Sequence, residues 1–72
     1  MTTADQIRDE AIELARSGAE TEDAVAALLQ HADRRVPMVM AKRQLEERSF
    51  EPTSAAALRL VEEALSRGAW AE

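Results

Sequence analysis

The chain has no cysteine and no tyrosine, and only one phenylalanine, one tryptophan, one histidine and one lysine among its 72 residues. Without cysteine there is no disulfide framework, no thiolate metal site and no cysteine nucleophile, and a single histidine removes the usual zinc sites as well. The scarcity of aromatic residues and the absence of period-two alternation leave no strand signal. No run approaches the roughly 20 apolar residues that span a bilayer. The opening MTTADQIRDE turns acidic at once and lacks the apolar stretch of a secretory signal. A cytoplasmic protein without membrane contact is therefore expected. With two glycines in all, there is no glycine-rich phosphate loop, and neither a nucleophile elbow nor a metal-ligand cluster is present. No enzymatic activity, cofactor or small-molecule ligand is expected, because short helices leave little room for a water-excluded pocket.

What is present is helical and charged. A chain of this length makes one domain, 1–72, whose core nets roughly 3–5 kcal/mol at best, so a partner surface would matter to stability. The net charge of −5 is unevenly spread. Residues 1–33 carry two arginines against eight carboxylates (−6), residues 34–48 carry five basic groups against Glu46 and Glu47 (+3), and residues 49–72 carry two arginines against four glutamates (−2). Such a surface repels phosphate backbones except at the one basic island. Eight arginines to one lysine, with abundant alanine, point to a GC-rich genome.

Helical periodicity recurs four times and predicts an all-α fold: a compact bundle of four short helices, orthogonal or irregular, with no β-sheet. The expected spans are about 4–17, 22–34, 37–48 and 54–67. Thr3 with Gln6 forms a capping box for the first helix, and Gly18 ends it in left-handed backbone. Its buried stripe is Ala4, Ile7, Ala11, Leu14 and Ala15. Thr21 opens the second helix, where Glu22 and Asp23 complement the positive end of the helix dipole. Ala24, Val25, Leu28, Leu29 and Ala32 share one arc. Pro37 suits the first position of the third helix. Phe50 is available to plug the core, Pro52 stops the preceding helix, and Thr53 or Ser54 caps the fourth. Ala57, Leu58, Leu60, Val61, Ala64 and Leu65 make the fourth apolar face, Gly68 ends that helix, and Trp70 folds back on its last turn. Short links favour neighbouring helices packed side by side.

The third helix carries the functional question. At 100° per residue, Met38, Ala41 and Leu45 form its docking stripe, Val39 lies about 100° from Met38, and Met40 about 160° from it. Two readings of these leftover apolar residues compete. In one, Val36 and Pro37 tuck the first turn into the bundle and bury it on several sides. In the other, Arg35, Val39, Met40, Lys42 and Arg43 form a docking surface, in which methionine adapts to a partner groove. Lys42 with Glu46 and Arg43 with Glu47 have the i,i+4 spacing of helix ion pairs.

The stretch TEDAVAALLQHADRRVPMVMAKRQLEERSF resembles a helix-turn-helix at low resolution: an Ala/Leu-rich helix, a break, then a basic helix ending in LEER like recognition helices of winged-helix regulators. That resemblance implies a small DNA-binding regulator, with Lys42 and Arg43 facing a groove and Arg34 and Arg35 holding phosphates. Against it, no glycine lies in the turn, Met38, Val39 and Met40 replace base-reading polar residues, and no β-wing follows. An acidic four-helix chain of this size also invites comparison with acyl carrier proteins, but AETEDA stands where those need an attachment serine. His31 would be a phospho-acceptor only in a phosphotransfer context that HADRR does not match, so it reads as a boundary residue of its helix. Glu46–Glu47 and Glu62–Glu63 point about 100° apart and make no acid/base couple. The expectation is a noncatalytic interaction module (adaptor, regulator or inhibitor) that docks another protein, or a second copy of itself, through the third helix. Nucleic acid is the second choice of partner.

Overall fold

The computed structural model describes residues 3–31 and 35–68. They form α1 (Ala4–Ser17), α2 (Thr21–His31), α3 (Arg35–Glu46) and α4 (Pro52–Arg67), and no strand occurs among the described residues. The all-α architecture expected from the periodicity is the one observed. Ala32, Arg34 and Trp70 lie outside the described residues, as does the expected end of the second helix at 32–34.

α1 follows its local signals closely. Thr3 Oγ1 accepts a hydrogen bond from the Gln6 backbone N–H at 3.2 Å, and Gln6 Oε1 accepts one from the Thr3 N–H at 2.9 Å. Neither N–H has an intrahelical acceptor, so the two residues satisfy each other. At the far end Gly18 takes φ 75°, and the N–H groups of Gly18 and Ala19 donate to the carbonyls of Ala15 and Leu14, each at 3.3 Å. This Schellman closure needs left-handed backbone, which glycine adopts without a Cβ clash.

The two proline-marked helices start earlier than expected. α3 begins at Arg35, which makes Pro37 its third residue. The first helical N–H groups lack intrahelical acceptors, so a proline there forfeits no hydrogen bond. α4 begins at Pro52 itself, with Glu51 at the N-cap and no side-chain cap bond. Proline's fixed φ is preorganised for that first position. Thr53 and Ser54, expected to cap, lie inside the helix, and Ser54 is buried. α3 ends at Glu46, and residues 47–50 are turns where helix was expected to reach Arg48.

α1 and α4 are the central pair. Each packs on all the other helices, whereas α2 and α3 pack on that pair with no Cα of one within 8 Å of a Cα of the other among the described residues. Side-by-side packing across a short link therefore holds for α1 with α2 and for α3 with α4, and fails for α2 with α3. A short link fixes the distance between two helix ends but not between their axes. The apolar faces of both helices turn inward toward the central pair.

One core joins all four helices: Ile7 and Ala11 of α1, Ala24, Val25 and Leu28 of α2, Met38, Ala41 and Leu45 of α3, and Ala57, Leu60, Val61 and Ala64 of α4. Five of these twelve are alanine. Small side chains let helices approach closely, but each removes little apolar surface from water, so the core stabilises modestly. The Cα radius of gyration of 10.7 Å matches the roughly 11 Å of a globule of this length.

Phe50 does not plug that core; it is 81 % exposed. Its turn is closed by its own backbone bonds, from the N–H groups of Arg48, Ser49 and Glu51 to the carbonyls of Leu45, Glu46 and Arg48 at 3.0–3.3 Å. That coil continues past the end of α3 and carries the phenyl ring into solvent.

Candidate functional site

α3 presents two unlike sides. Met38, Ala41 and Leu45 are fully buried, as expected. Val36 and Met40 each lie about 160° from Met38, on either side of the point opposite that residue. They are 68 % and 50 % exposed. Arg43 is exposed on the same arc, one turn beyond Met40. Val36 thus does not tuck the first turn inward; Pro37, half-buried, is the residue that leans toward the bundle.

The residues expected to make contact divide between this arc and its flank. Met40 and Arg43 share the outward arc, Arg35 is exposed at the helix start, and Val39 and Lys42 are half-buried at the edge. Two residues were missed, Val36 and Phe50. With Met40 they are the exposed large apolar side chains of the described residues, and all three fall between 36 and 50. The wheel angle of Val36 would have revealed it had the helix been started before Pro37. Nothing in the sequence marks Phe50 as outward, because the turn geometry decides it.

Three of the basic groups here, Lys42, Arg43 and Arg48, are uncompensated within the described fold. Elsewhere Arg8 pairs with Asp5 and Asp9, Arg16 with Glu13, and Arg67 with Glu63, while Arg59 of α4 makes no ion pair among the described residues. Among the described residues Lys42, Arg43 and Arg48 make no ion pair, so the i,i+4 pairs with Glu46 and Glu47 do not form. Exposed pairs gain only about 0–1 kcal/mol against the entropy of fixing two long side chains, so their absence is unremarkable energetically. It leaves Arg43 and Arg48 exposed and Lys42 half-buried in the segment that carries the apolar arc.

The other flank of α3 is held by the body. Gln44, beside Met40 on the wheel, accepts from Arg8 Nη1 at 2.8 Å and donates to Asp5 Oδ1 at 3.2 Å. This tie to α1 fixes which arc of α3 faces solvent.

The helix-turn-helix resemblance depends on its two helices packing against each other at about 90–120°. Here no Cα of α2 comes within 8 Å of a Cα of α3 among the described residues, so the two backbones are not closely packed. Arg34, one of its two phosphate contacts, lies outside the described residues.

His31 sits at the end of α2 with its side chain 57 % exposed and Nε2 3.9 Å from Glu10 Oε1. It lines an open cleft of about 410 Å³ with Gln6, Asp9, Glu10 and Glu13. Among the described residues no group of histidine and carboxylate side chains is arranged to hold a metal ion. Glu46 and Glu47 are exposed, and Glu63 is engaged by Arg67 Nε at 2.9 Å while Glu62 faces solvent. No helix among the described residues is long and apolar enough to cross a membrane. No protein-family model, curated protein or solved structure matches this chain.

Proposed function

We propose that this chain is a noncatalytic protein–protein interaction module, an adaptor, regulator or inhibitor, that docks a partner protein through the outward face of α3. One observation carries the reading. Of the exposed large apolar side chains of the described residues, Val36 and Met40 fall within the basic island of residues 34–48 and Phe50 lies two residues beyond it. Apolar anchors ringed by charge are the usual anatomy of a docking patch, where the anchors supply affinity and the charges steer encounter. Arg35 and Arg43 supply charge, and Met40 supplies an adaptable anchor. Val39 and Lys42 contribute their exposed portions at the edge.

DNA binding by the same basic segment is the second reading, favoured by the +3 charge of residues 34–48. The lack of α2–α3 packing and the apolar start of α3 weigh against it. The two separate in affinity capture from native lysate at physiological salt, with nuclease in one arm. A stoichiometric protein that survives nuclease supports docking; nucleic acid recovered and then lost on nuclease treatment overturns it. Retention on heparin that falls steeply with salt would likewise favour nucleic acid.

A further inference from the structure

We infer that the partner element is an acidic amphipathic helix of a different protein, with apolar side chains that meet Val36, Met40 and Phe50 and carboxylates that meet Lys42, Arg43 and Arg48. This rests on the docking role proposed for α3 and specifies what docks there.

A second copy has two ways to cover this face. A two-fold dimer places the same patch on itself, because an isologous interface pairs like surface with like. That would set residues 35–50, with Arg35, Lys42, Arg43 and Arg48 against Glu46 and Glu47 for a net charge of +2, on their own copy. Like charges juxtaposed in an interface are strongly unfavourable. A head-to-tail contact would instead set α3 on the acidic half of the next copy, where charge is complementary. That half has no exposed large apolar side chain among its described residues, since all three such residues lie between 36 and 50. Met40 and Phe50 would then meet charged side chains and only the partly buried edges of residues such as Ile12, Leu14 and Leu29. Covering both features needs an element that carries carboxylates and large apolar anchors together, and the described residues outside 36–50 expose no large apolar side chain.

The helical form of the partner follows from the anchors. Val36 and Met40 stand one turn apart on a convex helix surface, and an amphipathic helix presents apolar groups at the matching i, i+3, i+4 and i+7 spacing. The remaining face of such a helix stays polar, and its carboxylates reach the cations that flank the apolar arc. Nucleic acid would satisfy Lys42, Arg43 and Arg48 but would leave Val36 and Met40 without apolar cover.

The test is selection from a displayed library of random peptides of about sixteen residues, roughly four helical turns, against the full chain. A parallel counter-selection uses the Met40→Asp variant. Enriched peptides should be acidic, with apolar residues at helical spacing, and should lose affinity about thirtyfold or more for Met40→Asp, the size of a lost anchor. Their affinity should also fall for Lys42→Glu/Arg43→Glu, a variant whose circular dichroism should match the parent because both side chains reach solvent. Enrichment of basic or neutral peptides, binders indifferent to either variant, or no enrichment would overturn the inference. So would a concentration-dependent dimer of the parent chain that Met40→Asp abolishes, or displacement of the peptides by a DNA oligonucleotide. If lysate capture yields a nuclease-resistant protein that needs Met40 while acidic peptides fail, the docking reading stands and only the partner chemistry is wrong.

Discussion

Arg8 and Gln44 tie α1 to α3: Nη1 of the arginine donates to Oε1 of the glutamine at 2.8 Å, across 36 positions of sequence. Gln44 in turn donates to Asp5 Oδ1 at 3.2 Å, and Arg8 Nε donates to Asp9 Oδ1 at 3.1 Å. The Arg8 side chain is only 21 % exposed, so these bonds are partly shielded from water. Gln44→Ala should lower the unfolding free energy by about 1 kcal/mol, a typical net value for one hydrogen bond. Arg8→Ala should lower it further, because the apolar stem of the arginine also leaves the helix interface. Residues in one network do not lose energy additively, so the double variant should fall short of the sum in urea unfolding. Strict additivity would show that the two side chains act independently.

Leu45 and Leu28 are fully buried. Truncating either to alanine removes about 2–5 kcal/mol, which rivals the roughly 3–5 kcal/mol available to a domain of this size. Far-UV circular dichroism of Leu45→Ala or Leu28→Ala at room temperature should therefore show substantial loss of helix. A cooperative transition close to that of the parent would contradict the assigned core.

Gly18→Ala should destabilise by roughly 1–2 kcal/mol, the cost of left-handed backbone for a residue with a Cβ. Nothing lies within 4 Å of the position that Cβ would occupy. The penalty is thus conformational and not a clash, so Gly18→Asn should recover part of it. Equal melting temperatures for the alanine variant and the parent would mean that the helix ends differently.

Phe50→Ser should change stability by no more than about 0.5 kcal/mol, as exposed substitutions usually do. A core phenylalanine would cost about 3–5 kcal/mol instead. Urea unfolding distinguishes the two cleanly. A loss of the larger size would restore the plugging role that the sequence alone suggested.

Legibility in the sequence tracked how local each determinant was. Thr3, Gln6 and Gly18 act through neighbours a few residues away, and α1 spans the residues expected of it. The buried stripes of α3 and α4 were likewise readable, since Met38, Ala41 and Leu45 follow helical spacing. Proline misled by position: Pro37 and Pro52 were treated as boundaries, but the first turn of a helix accepts proline freely. Starting α3 at Pro37 left Val36 off the wheel and hid its outward angle. The separation of α2 from α3 was not readable either, because it depends on how both helices share the α1–α4 pair. Of the expected contact residues, Met40 and Arg43 lie on the outward arc and Arg35 is exposed, whereas Val39 is half-buried because about 100° of rotation carries it only partway to solvent.

The most direct measurement compares the parent chain with the Val36→Asp/Met40→Asp variant in quantitative capture from nuclease-treated lysate, each first checked for helix content by circular dichroism. Both side chains face solvent, so the variant should fold like the parent while a stoichiometric partner protein captured by the parent disappears. An unfolded variant would place these residues in the core. A folded variant that captures the same protein equally well would contradict docking through α3.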